Sequence, residues 1–318
     1  MKRLSCIFLV TLMFGGGQAL AQQVPTNVRL LVGYTPGGPV DASARLIAPT
    51  LAKELGTNVI VENRPGANAT LAGAAVAKAA ADGALLWYAA SPTVTISPNV
   101  MKSMTFDPAK DLAPIAPVVS YYNVLVINKD LPFGTLRELT DYARANPGKV
   151  SYGSAGVGGS NHLSGELFAA RTGTQLNHVP YKGNAPAMTD VIGGQLTMMF
   201  DIIGSARSYI SAGRVRAIAV TSPQRNNSLP DVPTMAEAGL PGFDVGGWFA
   251  VYGPAATPTG LVHRYNEAMN KVLAQPEVKA RLEAMGYELW TGAPALVAER
   301  GSKERTMWAT VTKGMQIE

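Results

Sequence analysis

Along most of the chain, apolar runs of strand length alternate with stretches whose apolar residues recur every three or four positions. That alternation predicts an α/β architecture. "NVRLLVGY" reads as a strand and residues 41–55 as a helix, with Leu46, Ile47, Leu51 and Leu55 marking one face. Gly56 ends that helix. "NVIVENRPG" predicts a second strand closed by a Pro-Gly turn, "TLAGAAVAKAAADG" a small-residue helix, and "ALLWYAA" a third strand.

The same order recurs downstream. "KVSYGSAGVGGSNHLSGELFAARTG" gives strand, glycine loop and helix, followed by the strand "TQLNHVPYKGN", the helix "APAMTDVIGGQ" and the strand "LTMMFDII". Aligning Gly33 with Gly153 sets "LLWYAA" opposite "LTMMFD". The pattern predicts two α/β lobes, the first from residues 22–123 and 223–318 and the second from 124–222. "YYNVLVINKDLPFG" (121–134) crosses between them, "VRAIAVTS" begins the return, and "FDVGGWFAVYGPA" rejoins the first lobe. The helical stretches after Pro258 are expected to pack on that lobe. Open α/β sheets hold ligands at the C-terminal ends of their strands, so two such edges facing each other make a cleft.

The first 21 residues change the picture. Lys2 and Arg3, the apolar run Leu4–Phe14 and the small-x-small site Ala19-Leu20-Ala21 predict a cleaved secretory signal, hence a periplasmic protein. The run is too short to span a bilayer, which takes about 20 residues. Cys6 is the chain's one cysteine and falls inside this segment, so the exported protein is expected to have neither a disulfide nor a thiol nucleophile. A net charge of +5 without any basic run argues against nucleic acid as a partner.

Candidate chemistry centres on the two glycine loops, "GYTPGGPVD" and "GSAGVGGSNH". Neither supplies the lysine of a P-loop, and "GVGGSN" ends in Asn161 where a dinucleotide fingerprint needs glycine. "GGSNH" puts His162 where a nucleophile elbow needs a small residue. The histidines at 162, 178 and 263 have no metal-ligand spacing, so no metal or cofactor is expected. What remains is binding. Small residues just before a helix expose backbone N–H groups where the helix dipole favours an anion, and without a lysine or arginine in either loop a carboxylate suits them better than a polyphosphate. The plainer reading is that Gly37-Gly38 and Gly158-Gly159 only shape tight turns. Asp41 is expected to cap the first helix, with Ser160 or Asn161 as its counterpart. His162 either packs neutral under its loop or touches the ligand. Tyr181, and Ser91 and Asp201 at equivalent strand ends, are further candidates for the cleft, while Trp248 and Phe249 read as core.

These segments, together with "PGGPVDASAR", "VIVENRPGANATLA", "FDPAKDLAPIAPV", "HVPYKGNAPAMTDVIGGQ" and "LPDVPTMAEAGLPGF", closely resemble the Bug/TctC family, periplasmic solute-binding receptors of tripartite tricarboxylate transport systems. The resemblance runs in order over essentially the whole chain past the signal. It implies a two-lobed, type II Venus-flytrap fold, each lobe a mixed sheet flanked by helices. It also implies a monomer that closes on a small organic carboxylate (an aliphatic or aromatic acid, or an amino acid) and delivers it to the membrane permease, without catalysis. Carried onto this chain, the ligand contacts would come from Tyr34, Thr35, Pro36, Gly37 and Gly38 in lobe one. In lobe two they would come from Ser154, Ala155, Gly156, Gly159, Ser160, Asn161 and His162. Two local departures stand out. Tyr34 replaces a common phenylalanine or proline and is expected to alter what the cleft accepts. "ENRPGANAT" lacks a frequent glycine, in a turn expected to be neutral. The alternatives are a periplasmic sensor feeding a two-component system, and an exported serine hydrolase, which needs a base beside Ser154 or Ser160.

Overall fold

The computed structural model of the chain describes residues 23–313, so the expected signal peptide and its cleavage site lie outside the described residues. The first lobe opens with β1 (Asn27–Val32), α1 (Pro39–Leu55), β2 (Asn58–Asn63), α2 (Thr70–Ala77) and β3 (Leu85–Ala90). Two short helices follow, α3 (Ser91–Thr95) and α4 (Ser97–Val100). The 17-residue β4 (Leu112–Asn128) then runs into the second lobe. That lobe holds α5 (Leu136–Ala145), β5 (Val150–Ser154), α6 (Ser160–Thr172), β6 (Leu176–Pro180), α7 (Asn184–Ile192), β7 (Met198–Ile202), α8 (Ile203–Ser211) and β8 (Val215–Val220). β9 (Gly246–Pro254) returns the chain, and α9 (Thr259–Ala274), α10 (Pro276–Ala284), β10 (Glu288–Leu289) and α11 (Pro294–Val311) complete it.

The strand order β2-β1-β3-β9-β4-β7-β5-β6 carries the expected repeat. β1 lies parallel between β2 and β3, and β5 lies parallel between β6 and β7. An antiparallel strand then flanks each trio, β9 beside β3 and β4 beside β7. The two trios therefore present the C-terminal ends of their strands, and the turns that follow, towards the lobe interface. Each lobe also has its own core. Trp87, Tyr88, Trp248 and Phe249 are fully buried in the first, Tyr152, Phe168 and Phe200 in the second. Trp248 and Phe249 are thus core, as their sequence context predicted.

Two boundaries differ from the sequence reading. The crossing strand starts at Leu112 rather than at residue 121, because Pro114 and Pro117 are absorbed at register shifts against β9. Its pairing changes from β9 to β7 between Tyr122 and Asn123. The return is later than residue 223. Val220 N–H donates to Pro233 O at 2.8 Å, Met235 N–H to Val220 O at 2.9 Å, and Met235, Phe243 and Val245 pack into the second core. That apolar burial keeps residues 229–245 on lobe two until β9 begins. At the crossing point Thr221 ties the two connections together. Its N–H donates to Asn123 O at 2.9 Å, and its hydroxyl meets both Asn123 N, at 3.0 Å, and Val245 O, at 2.6 Å.

Phe249 packs against Tyr88, Tyr121 and Tyr287 with ring centroids 5.6, 4.8 and 5.6 Å away. Phe249→Ala is therefore expected to cost about 3–5 kcal/mol of stability, read from chemical denaturation. A loss under about 1 kcal/mol would mean that this aromatic cluster does not hold the first lobe.

Candidate functional site

Two βα turns meet at the lobe interface with nearly the same geometry. Gly37 (φ 81) and Gly158 (φ 78) occupy the left-handed region, where a side chain is strained, and let the chain reverse into α1 and α6. The next residues, Gly38 (φ −78, ψ 171) and Gly159 (φ −74, ψ 161), are the helix N-caps. Neither helix has a side-chain cap. Instead the third helical residue reaches back to the turn. Asp41 Oδ2 accepts from Gly37 N–H at 2.9 Å, and His162 Nδ1 accepts from Gly158 N–H at 3.1 Å. The expected cap at Asp41 is therefore corrected to a turn clamp, and its counterpart is His162 rather than Ser160 or Asn161. Burial pushes the Asp41 carboxyl up, but hydrogen bonds from Arg45, Gly37 and Asn63 outweigh it and hold the group below its ordinary range.

With the caps made of glycine, the first-turn amides of these helices have no side-chain partner. They lie at a small interlobe cavity lined by Val40 of α1, whose first residue Pro39 has no N–H, and by Gly159, Ser160 and Asn161 of α6. Asn184, the first residue of α7, and Ile202, which precedes α8, add two more helix starts. No lysine or arginine lines it. Converging helix N-termini concentrate partial positive charge, so the cavity favours an anion without any cationic side chain. Its free space is about 10 Å³, roughly room for one water, so the lobes must part to admit a solute. A larger groove of about 820 Å³ lies between residues 222–228 and 279–289. It meets the C-terminal end of α10 and carries Glu283 and Glu288 together with Arg225 and Lys279, which are paired with Glu237 and Glu283.

Tyr34 closes one wall. Its hydroxyl donates to Asn68 Oδ1 at 3.1 Å and lies 3.3 Å from Thr93 Oγ1; burial pushes its pKa up to about 12, which keeps it a donor. Asn68 itself sits in a run of three left-handed residues, Ala67, Asn68 and Ala69 (φ 46, 47 and 67). Such a run persists only where its surroundings fix it. Here Thr93 Oγ1 donates to Asn68 O at 2.8 Å and Asn68 Nδ2 to Ser97 Oγ at 3.1 Å.

Beneath the second turn lies an aromatic stack of His162, His178 and Tyr152, with the imidazole centroids 4.2 Å apart. Desolvation pushes both histidines down to about 4. They are neutral at pH 7, as His162 must be to accept from Gly158. Ser154 Oγ lies 2.6 Å from His178 Nε2, the contact a serine hydrolase would need. That serine is fully buried, its hydroxyl also meets Gly156 N–H at 3.1 Å, and it does not line the cavity. The pair braces the loop rather than facing a substrate.

A family model described as the tripartite tricarboxylate transporter family receptor matches residues 43–308. The chain belongs to this family. Among relatives, it is 39% identical over 87% of its length, and 83% of the other's, to a protein from the tcbD-tcbE intergenic region of Pseudomonas sp. strain P51. Protein BugT of Bordetella pertussis is 34% identical over 90% of this chain and 88% of its own. Among solved structures, the periplasmic binding protein BugD superposes with a TM-score of 0.88 at 33% identity, covering 92% of this chain and 98% of BugD. MatC of Rhodopseudomonas palustris, with bound malate, gives 0.87 at 32% over 92% and 99%. Another R. palustris protein, with adipate, gives 0.88 at 34% over 90% and 96%. The architecture is that of a two-lobed periplasmic binding protein.

In this receptor the expected contact residues fall into distinct groups. Tyr34, Ala155, Gly159, Ser160 and Asn161 line the cavity. Gly37 and Gly38 line an adjoining interlobe gap with Gly204 and Met285. Pro36 is exposed, Thr35 N–H bridges to Lys182 O of the other lobe at 3.3 Å, and Gly156 lies so close to Asn68 across the interface that a Cβ there would come within 3.2 Å of Asn68 N. The remaining five line neither space. Ser91 Oγ accepts from Trp248 N–H at 3.1 Å, Ser154 pairs with His178, and His162 clamps Gly158. Tyr181 donates to Asp190, and Asp201 lies fully buried behind Asn184. Sequence reasoning missed Asn68, Pro92, Tyr121 and Asn184, all of which line the cavity. The "ENRPGANAT" turn therefore supplies part of the wall through Asn68.

Two outcomes are expected of this receptor. Between about pH 6.5 and 4 the unfolded chain carries protons on His162 and His178 that the native state excludes, so acidification through that window removes stability. Asp201, which burial raises to about 6, acts oppositely, and its contribution is lost as pH rises through that value. His162→Asn keeps an acceptor for Gly158 but not the titration, so its melting temperature should fall less steeply than wild type across this window; parallel curves would contradict the assignment. Gly204 has no room for a Cβ against Met285 O of the other lobe. Gly204→Ala should leave each lobe folded yet oppose closure by about 1–3 kcal/mol, raising the ligand Kd roughly ten- to hundredfold in calorimetry. An unchanged Kd would show that this contact is not part of the loaded state.

Proposed function

We propose that this receptor captures a small organic carboxylate between its lobes in the periplasm and presents the closed form to the membrane subunits of a tripartite tricarboxylate permease, acting as a monomer without chemistry on the solute. One observation carries the reading: first-turn amides of helices from both lobes converge on a cavity that has no cationic side chain. That arrangement suits one or two carboxylate oxygens, which accept N–H groups in several directions, and it cannot neutralise a polyphosphate. Malate and adipate in structures 32% and 34% identical to this chain point the same way.

Closure follows from the geometry. The amides that grip the solute belong to different lobes, so the full set of bonds exists only when the lobes meet. A ligand that gains those bonds in the closed state draws the population towards it. The pairing switch at Tyr122 and Asn123, with Thr221 across from it, is the place for the bend.

The test is thermal unfolding of the refolded, ligand-stripped mature chain with mono- and dicarboxylates of increasing length and their amides. A solute bound only by the folded state at 100 times its Kd adds about 2.7 kcal/mol, a shift of several degrees for a chain of this size. The account expects a shift from at least one acid and none from its amide. Equal shifts from acid and amide, or none from any acid, would overturn it.

A further inference from the structure

Asn184 occupies the start of α7, is 5% exposed, and faces the interlobe cavity. Its side-chain amide is not free to turn. Nδ2 donates to Oδ1 of Asp201, which also accepts Ile202 N–H at 2.8 Å, while its other oxygen accepts the Ser205 hydroxyl. A carboxylate that accepts fixes which end of the asparagine points at it, so the nitrogen faces Asp201 and the oxygen faces away. Asn184 Oδ1 has no hydrogen-bond donor among the described residues.

Among the other polar side chains at this cavity, the Tyr121 and Ser160 hydroxyls pair with each other and can donate or accept, and the rest are committed. The Tyr34 hydroxyl serves Asn68 Oδ1, and Asn68 Nδ2 serves Ser97. Asn161 Nδ2 donates to Phe200 O at 2.6 Å, and its Oδ1 faces Ala155 N–H at 3.5 Å. Beside the hydroxyls of Tyr121 and Ser160, Asn184 Oδ1 therefore contributes an amide acceptor that has no donor of its own. Its own backbone N–H, in the first turn of α7, lies on the same residue. An acid whose carboxylate takes first-turn amides and whose neighbouring carbon carries an O–H or N–H donor matches that pair. An acid lacking the donor leaves Oδ1 buried against C–H, at a desolvation cost.

Resting on the carboxylate reading above, we infer that Asn184, oriented by Asp201, is a specificity residue that selects acids bearing a hydroxyl or ammonium group beside the carboxylate. Asp201 is the positioning residue and touches no solute itself.

The experiment compares matched acids on the refolded, ligand-stripped mature chain by calorimetry: propionate, lactate and alanine; succinate, malate and aspartate; phenylacetate, mandelate and phenylglycine. Within the series that binds, wild type should favour the hydroxy or amino member over the plain acid by about tenfold. Asn184→Leu should bring that ratio close to one while plain-acid affinity changes less than the ratio does. Asp201→Asn, whose amide can donate as well as accept and so no longer fixes the asparagine, should reduce the ratio in part. The wild-type ratio stands on its own if either variant fails to fold. A wild-type ratio near one, or a ratio kept by Asn184→Leu, overturns the inference and leaves the carboxylate reading intact. If no acid of any series binds, the carboxylate reading falls and this inference with it.

Discussion

An anion held by peptide N–H groups, with no lysine or arginine to neutralise it, makes one demand on the rest of the molecule: those amides must already point the right way. A helix start gives the direction, but only if the turn before it is rigid and no side chain of its own takes the bonds. Glycine at the cap satisfies the second condition, and a clamp from the third helical residue satisfies the first. The two lobes reach this solution with different chemistry, a carboxylate in Asp41 and a neutral imidazole in His162. The buried stack of His162, His178 and Tyr152, and the Ser154–His178 contact, follow from the second choice, because an imidazole stays an acceptor only while it stays unprotonated. Groups that resemble catalytic machinery are here the foundation of a turn.

Part of the interface is backbone against backbone, beside side chains such as Arg207, whose guanidinium donates to Ala284 O. Loop backbone meets loop backbone through Thr35 and Lys182, through Gly156 and Asn68, and through Gly204 and Met285. Such contacts fit in one relative position of the lobes and are lost together when they separate. The continuous β4, half in each sheet, keeps the two halves in register while Thr221 limits where the connections can bend. On the proposed function, this leaves one place for the lobes to part, and the solute is the piece that completes the closed form.

Much of this was legible in the chain because it is local. Alternating strand and helix periodicities, the paired Gly-Gly turns and the helix-ending Gly56 and Gly173 give the α/β order and the repeat without any tertiary information. The start of β4 was not legible, since prolines fit inside a strand only where the partner strand shifts register to absorb them. Site residues divided along the same line. Gly159, Ser160 and Asn161, which the pattern put at a helix start, line the cavity. Ser91 lies outside the cavity lining, its hydroxyl taken by Trp248 N–H from a strand 157 residues away, a contact that local sequence does not reveal. Asn68 and Asn184 were passed over because each arrives from a turn whose position is set by packing, not by its own sequence. Asp201 was noticed as a carboxylate at a strand end, but its work is to orient Asn184, which only the folded contact reveals.

The most direct measurement is a crystal structure of the mature receptor with a tightly bound acid taken from the thermal panel. The account predicts closed lobes with carboxylate oxygens within hydrogen-bond distance of first-turn amides of both α1 and α6, and no lysine or arginine on the anion. A carboxylate bound to one lobe only, neutralised by a cationic side chain, or seated in the groove beside α10 would contradict it.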